Sequence, residues 1–282
     1  MKKGINAWSV YKYTTFEEMF KQLKAAGFDG VELNIDKDSD SQCAIFMGTT
    51  KDELLRIREL SEKYELPITS ISTQNPLGGV SSVPELWDAQ KQVIMKQIEA
   101  AQILGAKGIL TVPGIPGAYA DTVSLKKGHE VSIEFYKSIK AEVEDSRITV
   151  GLENVWNGFF LSPFDAARMI DEIGSDSIGM YFDVGNVVAF SNPEDWIEIL
   201  GKRIKFVHVK DYLRNIRTLK GGQFVGVNNG SANWEKVVAG LQNIGYDGYL
   251  TAEVARSNPE MEYTDFYKLT ADQIGEIIAL EK

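Results

Sequence analysis

Four ionisable side chains stand where apolar runs end. Gly151-Leu152-Glu153-Asn154, Tyr181-Phe182-Asp183-Val184, Phe206-Val207-His208-Val209 and Thr251-Ala252-Glu253-Val254 each carry one such residue, and the rest of each run suits a buried strand. A charge buried without a partner is costly, so four of them in equivalent places call for a common counter-charge. A shared cation is the simplest one. Three carboxylates and an imidazole suit a single divalent metal ion, Mn2+ first, with Mg2+, Co2+ or Zn2+ as alternatives. They leave coordination positions open for substrate oxygens. Any one of these residues, taken alone, could as readily face solvent or pair with a Lys or Arg. All four together make Glu153, Asp183, His208 and Glu253 candidate metal ligands.

For the four to meet, their strands must be parallel and must end on the same side. The chain supplies that pattern. Phe16, Met19, Phe20 and Leu23 mark one helical face, with Thr15 and Glu18 as a capping box and Gly27 as the stop. Leu54, Ile57 and Tyr64 repeat the pattern after Thr50-Lys51-Asp52-Glu53, and Ser162-Pro163 and Asn192-Pro193 each place a capping side chain before a first-turn proline. Strands are expected near Gly4–Trp8, Gly30–Asn34, Ile68–Ser72, Gly108–Val112, Thr149–Glu153, Ile178–Asp183, Ile204–His208 and Tyr249–Glu253. Gly27-Phe28-Asp29-Gly30, Gly105-Ala106-Lys107-Gly108 and Gly245-Tyr246-Asp247-Gly248 repeat one helix-stop-and-turn device before three of them. Eight strands alternating with helices predict an α/β fold, a (β/α)8 TIM barrel, as a single domain over 1–282. The competing open doubly wound sheet usually carries a glycine-rich turn after its first strand, and Asn6-Ala7-Trp8-Ser9-Val10 has no glycine.

Composition narrows the function. Forty acidic and 30 basic residues give a net charge of −10, which opposes nucleic-acid binding, and no basic cluster exceeds two adjacent residues. The lone Cys43 excludes an internal disulfide framework. No apolar run approaches the roughly 20 residues of a membrane span, and nothing resembles a cleaved signal, so a cytoplasmic protein with no membrane partner is expected.

The runs around Glu153, Asp183 and His208, namely Gly151–Asn157, Tyr181–Asn186 and Phe206–Asp211, together with the Glu253 strand, resemble the xylose-isomerase-like barrel superfamily. Within it they look most like the sugar phosphate isomerase/epimerase group, including hexulose-6-phosphate isomerase-like proteins and ketose 3-epimerases. The resemblance implies that Glu153, Asp183, His208 and Glu253 bind the metal and that Glu153 and Glu253 are the catalytic acid/base pair. It also implies a substrate contact for Arg214, a small-molecule sugar or sugar phosphate as partner, and a homo-dimer or homo-tetramer. Asn186 stands where ketose 3-epimerases have a histidine. An amide can hydrogen-bond a hydroxyl but cannot exchange a proton near neutral pH, so a different substrate preference is expected. Val227-Asn228-Asn229-Gly230 replaces the Gly-Glu-Gly frequent in relatives.

That chemistry is proton removal beside a carbonyl, with negative charge developing on two neighbouring oxygens that a cation stabilises. Carboxylates on opposite faces of the sugar give epimerisation; one carboxylate serving both steps gives aldose–ketose isomerisation. An inosose-type dehydratase and a non-catalytic sugar-binding barrel are the rival readings. A multi-zinc DNA-repair endonuclease is rejected, because its cluster needs several imidazoles and this chain has two histidines. Trp8 is a candidate wall against sugar C–H groups or a core residue. Glu32 is read as a structural ion pair before a hydroxyl ligand, Lys210 as a solvated cation or a phosphate contact, His129 as a surface residue, and Cys43 as incidental.

Overall fold

The structure is a computed structural model describing residues 1–37, 41–115, 117, 121–215 and 221–281. Ten strands occur among these residues: β1 (Lys2–Asn6), β2 (Gly30–Ile35), β3 (Ile68–Thr73), β4 (Gly108–Thr111), β5 (Thr149–Glu153), β6 (Ile178–Asp183), β7 (Ile204–Val209), β8 (Asp211–Arg214), β9 (Gly222–Val225) and β10 (Tyr249–Ala252). The first seven and β10 close into a parallel barrel in chain order, with β10 pairing both β7 and β1. The fold is the expected (β/α)8 barrel. The helices are α1 (Phe16–Ala26), α2 (Lys51–Lys63), α3 (Trp87–Leu104), α4 (Leu125–Ser138), α5 (Lys140–Ser146), α6 (Pro163–Ile173), α7 (Val184–Val188), α8 (Pro193–Leu200), α9 (Trp234–Asn243) and α10 (Tyr263–Ile278). None of the described helices is long and apolar enough to cross a membrane.

Local chemistry sets these boundaries. Thr15, Thr50 and Ser162 close capping boxes with Glu18, Glu53 and Asp165 at the starts of α1, α2 and α6. Gly27, Gly105 and Gly245 have φ of 93°, 78° and 78°, the left-handed turn that returns each helix to the next strand at little steric cost. Two expectations shift. The first strand runs over Lys2–Asn6, because the Asn6 Oδ1 accepts from the Trp8 amide at 2.6 Å and turns the chain into a 3-10 turn over Ala7–Ser9. Asn192 precedes α8 but caps no backbone amide; its Nδ2 donates to Asp195 and its Oδ1 accepts from Arg214.

The barrel interior is filled from the amino-terminal end by aromatic rings. Phe206 and Tyr181 lie with ring centroids 5.1 Å apart. Gly108 and Gly151 make room for them: a Cβ on Gly108 would fall 2.1 Å from Phe206 Cζ, and one on Gly151 would fall 2.8 Å from Tyr181 Cβ. Above this plug the interior becomes polar, and the functional groups begin.

Candidate metal centre and active site

Glu153 and Asp183 are the last residues of β5 and β6, His208 is the next to last of β7, and Glu253 follows β10. Because β5, β6, β7 and β10 are consecutive neighbours, all four side chains reach one point at the carboxyl end of the barrel. One ligand atom from each lies within 4.8 Å of every other. Donors on opposite sides of a first-row divalent ion are roughly 4–4.5 Å apart, so the span is close to that of a loaded site. Asp183 and His208 are fully buried, Glu153 nearly so, and the Glu253 side chain is 25% exposed.

One buried atom of this cluster accepts no hydrogen bond. Asp183 Oδ1 takes the Asn186 amide at 2.8 Å, but Oδ2 makes no hydrogen bond: the Lys210 ammonium stands at ion-pair distance, 2.8 Å, and His208 Nδ1 at 4.0 Å. A buried carboxylate oxygen in that state keeps lone pairs open to a cation. The donor set is the mixed oxygen and nitrogen set that suits first-row divalent ions. These residues therefore could hold a metal ion.

A ring of polar groups beneath the cluster fixes the imidazole. Glu32, fully buried in β2, meets His208 Nε2 through Oε1 at 2.7 Å, and its other partners are Asn6 Nδ2 at 2.5 Å and the Ser70 and Tyr181 hydroxyls at 2.6 Å each. Nδ1 then faces the cluster, 3.0 Å from Glu153 Oε1 and 4.0 Å from Asp183 Oδ2 and Glu253 Oε2. A carboxylate behind the imidazole leaves the opposite nitrogen for a cation. Glu32 is thus a structural partner, as expected, but its partner is the imidazole at the heart of the site. Asn154 steadies the neighbouring backbone, since its amide bonds both the carbonyl and the N–H of Asp183 at 2.8 Å.

Electrostatics follow from burial. Desolvation and the nearby Glu253 carboxylate push Glu153 up to about 7, and burial also raises Asp183 against the pull of Lys210. Burial disfavours charge on His208, but Glu32 and Glu153 outweigh it and lift its pKa well above the ordinary range. Burial opposes ionisation of Glu32 too; the imidazole overrides it and holds that carboxyl below its usual value. Lys210, almost wholly enclosed, bonds Glu253 and pairs with Asp183.

A cavity of about 490 Å³ opens above the cluster, within the size range of small-molecule sites. Glu153, Glu253, Lys210 and Asn186 give it polar groups; Trp8, Trp156 and Phe224 give it aromatic walls. Phe224 comes from β9, which pairs antiparallel with β8 in a hairpin that the sequence did not announce, and it packs 4.6 Å from Trp156. Trp8 is 48% exposed, so its ring is a wall and not core. Asn186 reaches the same cavity while its Nδ2 donates to the Asn154 carbonyl. Arg214 lies elsewhere: its guanidinium bonds the carbonyls of Val188 and Ser191, and it is not among the cavity-lining residues. His129 of α4 stacks on Phe159, and Cys43 is buried with its thiol pKa raised by desolvation. Glu32, Asn6, Ser70, Tyr181 and Asn154 are the supporting residues that strand-end reasoning missed or undervalued.

Several known proteins share this framework. SgbU of Haemophilus influenzae, provisionally named an L-ribulose-5-phosphate 3-epimerase, is 24% identical over 261 residues, covering 90% of this chain and 88% of its own. The inosose dehydratase of Lacticaseibacillus casei is 21% identical over 276 residues, covering 88% and 86%. A solved D-psicose 3-epimerase with D-tagatose, from Clostridium cellulolyticum, superposes with a TM-score of 0.79 at 14% identity over the full length of both chains. The family model described as xylose isomerase-like TIM barrel matches residues 20–270, and the chain belongs to that family.

Proposed function

We propose that this chain is a divalent-metal-dependent isomerase or epimerase of a ketose or ketose phosphate. The observation that carries the reading is the pairing of two carboxylates, Glu153 and Glu253, that belong to the four-residue cluster and also face the cavity above it. Glu153, Asp183, His208 and Glu253 would hold a divalent ion, which would supply Lewis acidity to the developing negative charge. The protein's own groups do the rest. Glu153, which the ion would hold ionised and which faces the cavity, is placed to take a proton from carbon. Glu253, more exposed and joined to Lys210, is the second proton carrier. Trp8, Trp156 and Phe224 exclude water from the sugar's C–H faces, and Asn186 offers an amide to a hydroxyl. If the two carboxylates act on opposite faces of the sugar, the product is an epimer; if one acts twice on the same face, it is an aldose.

The test is proton exchange. The Mn2+-loaded protein is incubated in D2O with a panel of ketoses and ketose phosphates, and deuterium is followed beside the carbonyl. Exchange with a new epimer or an aldose is the expected outcome; dehydration would assign the chain a lyase reaction instead. Glu253→Gln should lower turnover by at least about 100-fold, the usual weight of a positioned acid/base group, while the barrel stays folded. Near-normal turnover in that variant would remove Glu253 from the mechanism.

A further inference from the structure

The acidic cluster occupies only half of the barrel mouth. Its ligands come from β5, β6, β7 and β10, while the carboxyl ends of β1, β2 and β3 surround a second cavity of about 550 Å³. Trp8 lines both cavities. The second one presents Asn34 from β2, Asp36 just after β2, Gln74 just after β3, and Tyr11 and Lys12 from the chain after β1. Asn34 is 4% exposed, and its Oδ1 is a buried acceptor with no hydrogen-bond partner. Buried amides ordinarily find partners, and one that lines a cavity without any is shaped for something that enters it.

We propose that this cavity is a second subsite, taking a neutral, hydroxyl-rich unit attached to the reacting sugar, such as a hexosyl group. The proposal rests on the reading of the first cavity as a ketose site, and it deepens that reading by making the substrate larger than one sugar ring. A sugar hydroxyl both donates and accepts, so it can satisfy Asn34 Oδ1, the Asn34 and Gln74 amides and the Asp36 carboxylate in turn. A phosphoryl group only accepts. It would leave Asn34 Oδ1 unpaired and would bring its negative charge to Asp36, with Lys12 as the one cation among the described lining residues. Trp8 borders both cavities and is 48% exposed, and an aromatic surface shared by the two suits the apolar faces of two linked rings. Its position is fixed from the reacting side: Glu32 accepts from Asn6 Nδ2, and Asn6 Oδ1 accepts from the Trp8 amide.

Binding to the Mn2+-loaded protein tests this, using calorimetry or ligand-observed NMR. The probes are D-fructose, D-tagatose, D-fructose 6-phosphate and two ketose disaccharides, isomaltulose and turanose. At least one disaccharide should bind about tenfold more tightly than either free ketose, the weight of one or two added hydrogen bonds plus ring contact. The disaccharide-to-monosaccharide affinity ratio should fall towards one in Asn34→Leu, which keeps the branched shape and removes the amide. Gln74→Ala, at an exposed position, should lower the ratio in the same direction whatever Asn34→Leu does to folding. Tighter binding of the phosphate than of the disaccharides overturns the proposal, and so does a ratio that neither substitution moves. Disaccharide binding without deuterium exchange would keep the subsite and discard the isomerase reading. Exchange with monosaccharides and no disaccharide advantage would do the reverse.

Discussion

His208 is held from both ring nitrogens, and the two contacts have different work. Glu32 at 2.7 Å fixes the Nε2 side, while Nδ1 looks into the cluster. Glu32→Gln keeps an oxygen acceptor of the same size but removes the charge that favours the Nε2–H tautomer. Outer partners of this kind typically weigh 10–100-fold in metal affinity. Mn2+ titration of the variant should show a loss in about that range, with cooperative unfolding retained; unchanged affinity would reduce Glu32 to a space-filling residue. The four cluster residues themselves were legible in the sequence because each is a polar residue closing an apolar run. Glu32 carried a similar signal inside Gly30-Val31-Glu32-Leu33, yet nothing local says that its partner lies 176 residues away. Lys210 was misjudged as more solvated than it is. It follows His208 by two, and strand alternation places such a residue on the same, inward face.

Asp183 ends β6 and caps α7, whose far end is held by Arg214 from β8. The guanidinium bonds carbonyls at Val188 and Ser191 and the side chain of Asn192, satisfying acceptors that a helix end leaves open. That geometry competes with the substrate contact implied by the family resemblance, and Arg214→Ala separates the two roles. Loss of the clamp should cost about 1–3 kcal/mol in denaturant unfolding, the usual range for charged hydrogen bonds. A rise in KM with unchanged stability would instead return Arg214 to the substrate. At this scale the barrel was readable because its helices carry caps and its αβ turns repeat. The β8–β9 hairpin was not, since Asp211-Tyr212-Leu213-Arg214 and Gly222-Gln223-Phe224-Val225 show neither an apolar run nor strict alternation. The first strand ended early for a reason of side-chain chemistry, the Asn6 cap on the Trp8 amide, which periodicity does not register.

Over the whole molecule, the buried acids tie stability to pH and to metal together. Glu153 has its pKa raised from 4.5 to about 7 by burial and by Glu253, so the folded chain without metal prefers the protonated form. Its favourable contribution is fully present below about 4.5 and is lost as pH climbs through about 7, where the fold must carry an ionised carboxylate in a poorly solvated place. Metal binding reverses that preference, because the ligand has to be ionised. At pH 6 loading should therefore release protons from Glu153 and from His208, whose imidazole must be neutral to ligate. Apparent affinity should rise by about tenfold or more per pH unit, continuing above 7 because the imidazole's pKa is raised as well. In thermal unfolding, Mn2+ at 100 times its dissociation constant adds about 2.7 kcal/mol. For a chain somewhat longer than 250 residues that is roughly 4–8 °C in Tm. At a fixed metal concentration chosen to give that shift at pH 7.5, the gap between loaded and chelator-treated protein should shrink steadily towards pH 5. A gap that stays constant across that range would mean that Glu153 does not ligate the ion, and the proton-carrier role proposed for it would lose its basis.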